Sequence, residues 1–289
     1  LTPEEQDIID GLVSSFRRSE KLQIHTRFLY SVGSIYRRHN GNLLYHGCIP
    51  CDGNGEFMEF SLYSDTPLKG RAFLDWADRL ARQGYFAPDG SMERLRGLDF
   101  LWFLWCGRNS PICGRTKITT FERALIEDKA SYTEPKNPYY VYYGSEEFCR
   151  RILDDFDLHK PWSRIINGHM PVKVKEGEDP RKGGGRLVVI DGGFCKAYHK
   201  QTGIAGYTMF FSSHGMRIAA HEPFTTREEA IHGKKDITSH SFIVENLPRR
   251  LMISDTDAGE GIKRRIEDLN ALLDAYRSGT IKTDSTGRI

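Results

Sequence analysis

Apolar residues recur at helical spacing from the start of the chain, with Ile8, Leu12, Val13 and Phe16 on one face of residues 3–18. Thr2, Pro3 and Glu5 supply an N-cap, a first helical residue and a capping-box partner, so a helix is predicted to begin at Pro3. Ile24, Phe28, Leu29, Val32 and Ile35 predict a second helix over residues 22–38, with these side chains inward. After the Asn40-Gly41-Asn42 turn the period shortens: LLYHGCIP reads as a strand stopped by Pro50, and FMEFSLY alternates as another. Helices are predicted over residues 67–84 and 145–156. Between them, residues 86–144 lose regular period. The aromatic FLWFLW, the basic CGRNSPICGRTK and the tyrosine-rich NPYYVYYG predict an insertion or lid over a site, with ordinary core aromatics as the alternative. Ile165-Ile166 and LVVID read as strands, GIAGYTMFFSS and GMRIAAHEPF as a hairpin about Ser213-His214-Gly215, and residues 250–253 as a last strand. Ser254 or Asp255 is the expected cap of a long helix carrying Ile262, Ile266, Leu269, Leu272 and Tyr276, which stops at Gly279 before a polar tail after Lys282.

Composition narrows the class. The 289 residues suffice for one large or two ordinary domains. With 41 basic against 39 acidic residues, neither a nucleic-acid nor a polybasic membrane footprint is expected. Apolar runs are too short to span a bilayer, and the chain opens on an amphipathic helix in place of a signal-peptide core, so a cytoplasmic protein is expected. It opens at Leu1 without an initiator Met, as a processed chain or one piece of a longer one would. The six cysteines have no framework spacing and are expected as reduced thiols; Cys48 and Cys51 form a C-x-x-C that lacks the second pair of a zinc finger.

Candidate chemistry concentrates in residues 164–198. His169 stands just beyond an apolar run broken by Asn167-Gly168, where a strand can hold an imidazole toward a metal, and Pro171 stops the strand. Lys173, Lys175, Arg181, Lys182 and Arg186 lie near enough in sequence to serve an anion, and Gly183, Gly184 and Gly185 permit close backbone approach. Taken singly, such a His is more often a solvent-exposed or hydrogen-bonded imidazole, and such a basic run is usually a solvated face. His46 repeats the setting, after the apolar run of LLYHGCIP and before Gly47. Two histidines at the ends of non-adjacent strands of one sheet converge at its edge, which points to a metal.

INGHMPVKVKEGEDP, RLVVIDGGFCKAYHKQTGIAGYTMFFSSHGMRIAAHEPF, SEKLQIHTRFLYSVGSIYRRHNGNLLYHGCIP, WFLWCGRNSPICGR, TTFER and DTDAGEGIKRRIEDLNALLDAYRSG together resemble the class III fructose-1,6-bisphosphatases of bacteria, members of the calcineurin-like metallophosphoesterases. The resemblance implies an α/β fold, here the carboxy-terminal part of an αββα sandwich. Residues 1–66 and 145–289 would belong to the phosphoesterase domain, and residues 67–144 would form a helical, irregular insertion. That superfamily builds its site from D-x-H, G-D-x-x-D, G-N-H, a His followed by Gly, and G-H, in that order. His46 matches the fourth block and His169 the fifth. The first three are absent: Asp157-Leu158-His159 ends a helix and follows His46, and Gly41-Asn42 continues with Leu43.

The resemblance therefore implies a two-metal phosphomonoesterase that converts fructose 1,6-bisphosphate to fructose 6-phosphate and phosphate, a gluconeogenic step, once joined to its amino-terminal half. His46 and His169 would ligate one ion, and no catalytic residue lies in this chain. Imidazoles favour manganese, iron or zinc over magnesium, and the resemblance points to manganese. Asp191 is the candidate for fixing an imidazole tautomer, or else a loop-capping carboxylate. Lys173, Arg108 and Arg115 are the candidate phosphate contacts. The alternatives are a sugar-phosphate-binding or regulatory fragment without chemistry, and a phosphatase for another phosphoester. The expected partners are the substrate and the other half, with a homo-oligomer compatible with the sequence.

Overall fold

The computed structural model describes every residue except 194, 196–198, 205, 224–225, 234–238 and 283–289. The polar tail after Lys282 and part of the predicted hairpin's flanks lie outside the described residues. In chain order the elements are α1 (Pro3–Arg18), α2 (Glu20–Val32), β1 (Tyr36–His39), β2 (Asn42–Tyr45), α3 (Gly70–Phe86), α4 (Met92–Cys106), α5 (Thr120–Leu125), α6 (Tyr139–Tyr142), α7 (Glu146–Asp155), β3 (Ile165–Asn167), β4 (Arg181–Lys182), β5 (Leu187–Val189), α8 (His199–Thr202), β6 (Gly206–Ser212), β7 (Gly215–His221), α9 (Arg227–His232), β8 (Ser239–Asn246) and α10 (Asp257–Arg277).

The strands make two sheets, so the chain is of the α/β class. One has the order β1-β2-β3-β5-β4, the other β6-β7-β8. In the first, β2, β3 and β5 run parallel with Leu43, Ile165 and Leu187 in register, while β1 and β4 are antiparallel edges. Alternation then puts Leu43, Tyr45, Ile165, Leu187 and Val189 on one face. They join a buried cluster with Phe73, Leu74 and Ala77 of α3, Phe100 and Leu104 of α4, and Phe148 and Ile152 of α7. Tyr207 and Ile218 of the second sheet belong to the same cluster. On the opposite face Leu44 and Ile166 line, with Ile35, Tyr36 and Ile190, an open cleft of about 590 Å³. Residues of 67–144 therefore contribute directly to the core that carries the sheet.

Several elements differ from expectation. The second helix ends at Val32, and residues 36–39 pair with β2 instead. FMEFSLY contributes only isolated bridges at Phe57 and Phe60. FLWFLW lies within α4, capped by Ser91, whose hydroxyl accepts the Arg94 N–H. Its apolar residues occupy all faces, which erased the period: Phe100 and Leu104 are buried, Trp102 and Trp105 exposed. Residues 250–253 are not a strand, because Leu251 N–H and Met252 N–H are taken by Ser213 O and the Asp255 carboxylate, and a short 3-10 turn follows. The third strand of the hairpin sheet is β8, and α10 is capped by Thr256. His39 ends β1 and His240 lies in β8.

The apolar stripe predicted to face inward on α2 is exposed, and neither α1 nor α2 buries any residue. Within the described residues nothing covers those stripes. No helix among the described residues is long and apolar enough to cross a membrane.

Candidate metal centre

Parallel pairing of β2 with β3 places Tyr45 opposite Asn167, so the next residues of both strands leave the sheet at the same end. Asn167 fixes those exits. Its buried amide donates to the carbonyls of Tyr45, His46 and Gly47 at 3.2, 3.1 and 2.9 Å, and its oxygen accepts from Tyr139 Oη at 3.2 Å. Tyr139 Oη in turn lies 2.7 Å from Tyr45 Oη. Gly47 has to be glycine, because a Cβ there would lie 2.0 Å from the Pro111 carbonyl oxygen. His169 adopts φ 69°, in the left-handed region, which re-aims its ring toward β2.

The outcome is a facing pair of imidazoles. His169 Nδ1 lies 3.1 Å from His46 Nε2, with the rings near perpendicular. His169 Nε2 lies 2.8 Å from the Cys113 carbonyl, which can only accept, so Nε2 carries the proton and the Nδ1 lone pair points at His46. The ring also stacks on Tyr140. Burial, then the neighbouring His46, holds the His169 pKa below its ordinary value and keeps the imidazole neutral. Two nitrogens each about 2.1 Å from one ion sit roughly 3–3.4 Å apart, so the pair fits a shared divalent ion. Among the described residues no group of three or more His, Cys, Asp or Glu is placed to hold a metal, so the pair by itself is an incomplete ligand set.

A cavity of about 330 Å³ opens beside the pair, lined by Trp105, Ile112, Cys113, Arg115, Ile118 and Glu134. Arg115 thus joins the histidines, with its guanidinium held by Glu134. Arg108 is exposed and does not line this cavity. Lys173 pairs with Glu176 at 3.1 Å. Asp191 lines the larger cleft beside His46. It accepts the Gly193 N–H at 2.9 Å, acting as a loop-capping carboxylate, and the His169 tautomer is set by Cys113.

The basic run following His169 is largely spent on internal partners. Arg181 grips Asp179, Lys182 pairs with Glu178, Lys175 donates to the Lys200 carbonyl, and Arg186 donates to the Pro161 carbonyl. Gly183, Gly184 and Gly185, all at positive φ, turn the chain tightly from β4 to β5 against α7. The anion cradle expected there is therefore absent among the described residues. His159 pairs with Asp154 at 3.1 Å, away from the imidazole pair. The six cysteines are free thiols; burial pushes Cys51 up to about 12 and Cys48 higher still. Asn167 and Cys113 were not singled out from sequence. Asn167 could have been suspected as a polar residue ending an apolar strand, whereas a backbone carbonyl leaves no sequence signal.

Residues 1–278 match the family described as Firmicute fructose-1,6-bisphosphatase. The chain is 50% identical over 289 residues to a fructose-1,6-bisphosphatase class 3 of Clostridium botulinum (strain 657 / Type Ba4), covering all of this chain and 43% of that protein. It is 48% identical over 282 residues to the protein of the same name in Clostridioides difficile (strain 630), covering 98% of this chain and 42% of the relative. The chain thus spans less than half the length of the curated relatives it matches. No solved structure matches it. A match running through both site histidines and across nearly the whole chain shows that it belongs to the class 3, or Firmicute, fructose-1,6-bisphosphatase family.

Proposed function

We propose that this chain is the carboxy-terminal part of a manganese-dependent, cytoplasmic, gluconeogenic phosphatase that hydrolyses the 1-phosphate of fructose 1,6-bisphosphate. Its two sheets would form part of a calcineurin-like sandwich completed by the amino-terminal half, with residues 67–144 supplying a lid. The observation that carries this reading is the neutral His169 Nδ1 facing His46 Nε2 at 3.1 Å, with the His169 ring locked by Cys113. Divalent ions, held in part by His46 and His169, would supply water activation and charge neutralisation at the phosphoryl group.

This chain's residues would hold and orient. His46 and His169 would ligate one ion, Asn167 keeps both strand exits in place, and Arg115 presents guanidinium donors to a phosphoryl oxygen. Trp105, Ile112 and Ile118 supply the apolar walls of the cavity. Lys173 and Arg108 would meet phosphate from outside this cavity, and Asp191 would lie in the adjoining cleft beside His46. The test is phosphate release by the full-length protein with manganese across a panel of sugar phosphates. Preference for fructose 1,6-bisphosphate is expected, and preference for an unrelated phosphoester would overturn the substrate assignment. The chain alone, lacking the other ligands, matches the second reading of a sugar-phosphate-binding fragment without catalysis.

A further inference from the structure

Arg115 and Lys136 stand directly opposite each other in an isolated antiparallel bridge. Hydrogen bonds from Thr116 N–H to Pro135 O at 2.9 Å and Asn137 N–H to Gly114 O at 3.0 Å fasten it on either side. Directly opposed residues of such a ribbon project to the same side. Arg115 lines the cavity that holds His46 and His169, so the bridge sets a second cation next to a residue of that lining.

The charges there do not balance. Glu134 is saturated: one oxygen holds Arg115 and the other accepts the Thr119 hydroxyl at 2.7 Å and N–H at 2.8 Å. Glu178 is taken by Lys182 at 2.7 Å and the Lys173 N–H at 2.9 Å. The Lys136 ammonium has no hydrogen-bond or ion-pair partner among the described residues. Lys136 is exposed; what burial it has, then the charges of Arg115 and Lys173, depress its pKa against the pull of Glu178. Arg115, Lys173 and Lys182 thus each have a carboxylate, in Glu134, Glu176 and Glu178, and Lys136 is left among the described residues as the cation without one, repelled by Arg115 and Lys173. A phosphoryl dianion would relieve that repulsion, and Arg115, tied by one amino group, keeps further donors for it.

We propose that Arg115 and Lys136, with Lys173 beside them, bind the phosphoryl group of the sugar bisphosphate that is not cleaved. Lys136 thereby becomes a specificity residue, selecting doubly phosphorylated sugars over monophosphates. The assignment rests on the bisphosphatase reading above.

The experiment uses the full-length protein with manganese and compares wild type, Lys136→Ala and Lys136→Arg on fructose 1,6-bisphosphate and on p-nitrophenyl phosphate, which carries one phosphoryl group. The ratio of kcat/KM for the two substrates should fall about tenfold in Lys136→Ala, mainly through KM, and be largely restored in Lys136→Arg. An unchanged ratio would overturn the proposal. If wild type leaves the bisphosphate intact, the assigned reaction fails. Calorimetric binding of inorganic phosphate to the same three proteins then decides the anion site alone: weaker binding by Lys136→Ala supports it, equal binding removes it.

Discussion

Metal-ligating histidines almost always have their other nitrogen occupied, and His169 Nε2 meets the Cys113 carbonyl at 2.8 Å. In the full-length protein, His46→Ala or His169→Ala should remove most bound metal, read by elemental analysis, and abolish most turnover. His159→Ala should do neither, because that ring pairs with exposed Asp154. Loss of metal from the His159 variant instead would reverse the ligand assignment. Asn167→Ala should weaken metal affinity by about 10- to 100-fold while both ligands remain, because three carbonyls at the strand exits lose their common donor. Glu134 adds a pH signature. Burial raises its pKa, but Thr119 and Arg115 outweigh that and hold the carboxyl below its ordinary range. A depressed folded-state pKa contributes stability above the unfolded value of about 4.3, lost as pH falls through the folded pKa. Thermal melts of wild type should therefore lose this stabilisation below about pH 4; Glu134→Gln should lack that component, and parallel melting curves at all pH values would refute it. At this scale the sequence exposed both histidines, because strand-end imidazoles before or after glycine are local patterns. Asn167 left a faint signal as a polar residue ending an apolar strand, and Cys113 left none, since its role is that of a backbone carbonyl.

Elements whose apolar residues keep one period were legible: α1 begins at its capping box and α7 follows its Ser145 cap. Helix α4 was not, because it is apolar on several sides, packing Phe100 inward while Trp102 and Trp105 meet edge to face outside. Strand β8 was missed for the opposite reason, as SHSFIVEN is mostly exposed and offers a weak alternation. The contact that fixes α4 is a glycine crossing: a Cβ on Gly97 would lie 2.1 Å from the Gly84 nitrogen, and one on Gly84 2.6 Å from the Gly97 carbonyl carbon. Gly97→Ala therefore has to push α3 and α4 apart, against a gain in helix propensity of about 1 kcal/mol. Overpacking of this kind costs about 1–3 kcal/mol and more where backbone meets backbone. A lowered denaturation midpoint is expected. Because α4 carries Trp105 to the imidazole cavity, the same substitution should also change substrate affinity; equal stability in denaturant titration would show that the crossing yields freely.

The accessible surface of the chain is 19247 Å². A compact monomer of 33.1 kDa exposes about 12600 Å², so the excess is roughly 6700 Å², well above one partner's share of an ordinary obligate interface. Its location is informative. Ile8, Leu12 and Phe16 of α1, Phe28 and Leu29 of α2, and Ile262, Ile266 and Leu269 of α10 are all exposed, in stripes with the period of buried helix faces. The open cleft along Leu44 and Ile166 runs to His46, so uncovered apolar surface and the incomplete ligand pair meet in one place. The chain spans 43% of its Clostridium botulinum relative, and on the proposed reading the remainder of such a protein would cover this surface. The prediction follows from area and ligand count together. Residues 1–289 expressed alone should aggregate or bind an apolar dye strongly, hold little manganese and release no phosphate from fructose 1,6-bisphosphate. Co-expression with the amino-terminal half should give a soluble complex in which dye binding falls and phosphatase activity appears with manganese. Hydrogen exchange should slow most in α1, α2 and the residues beside the cleft. A monomeric, dye-silent fragment with full activity and no second polypeptide by mass spectrometry would contradict both the missing cover and the missing ligands.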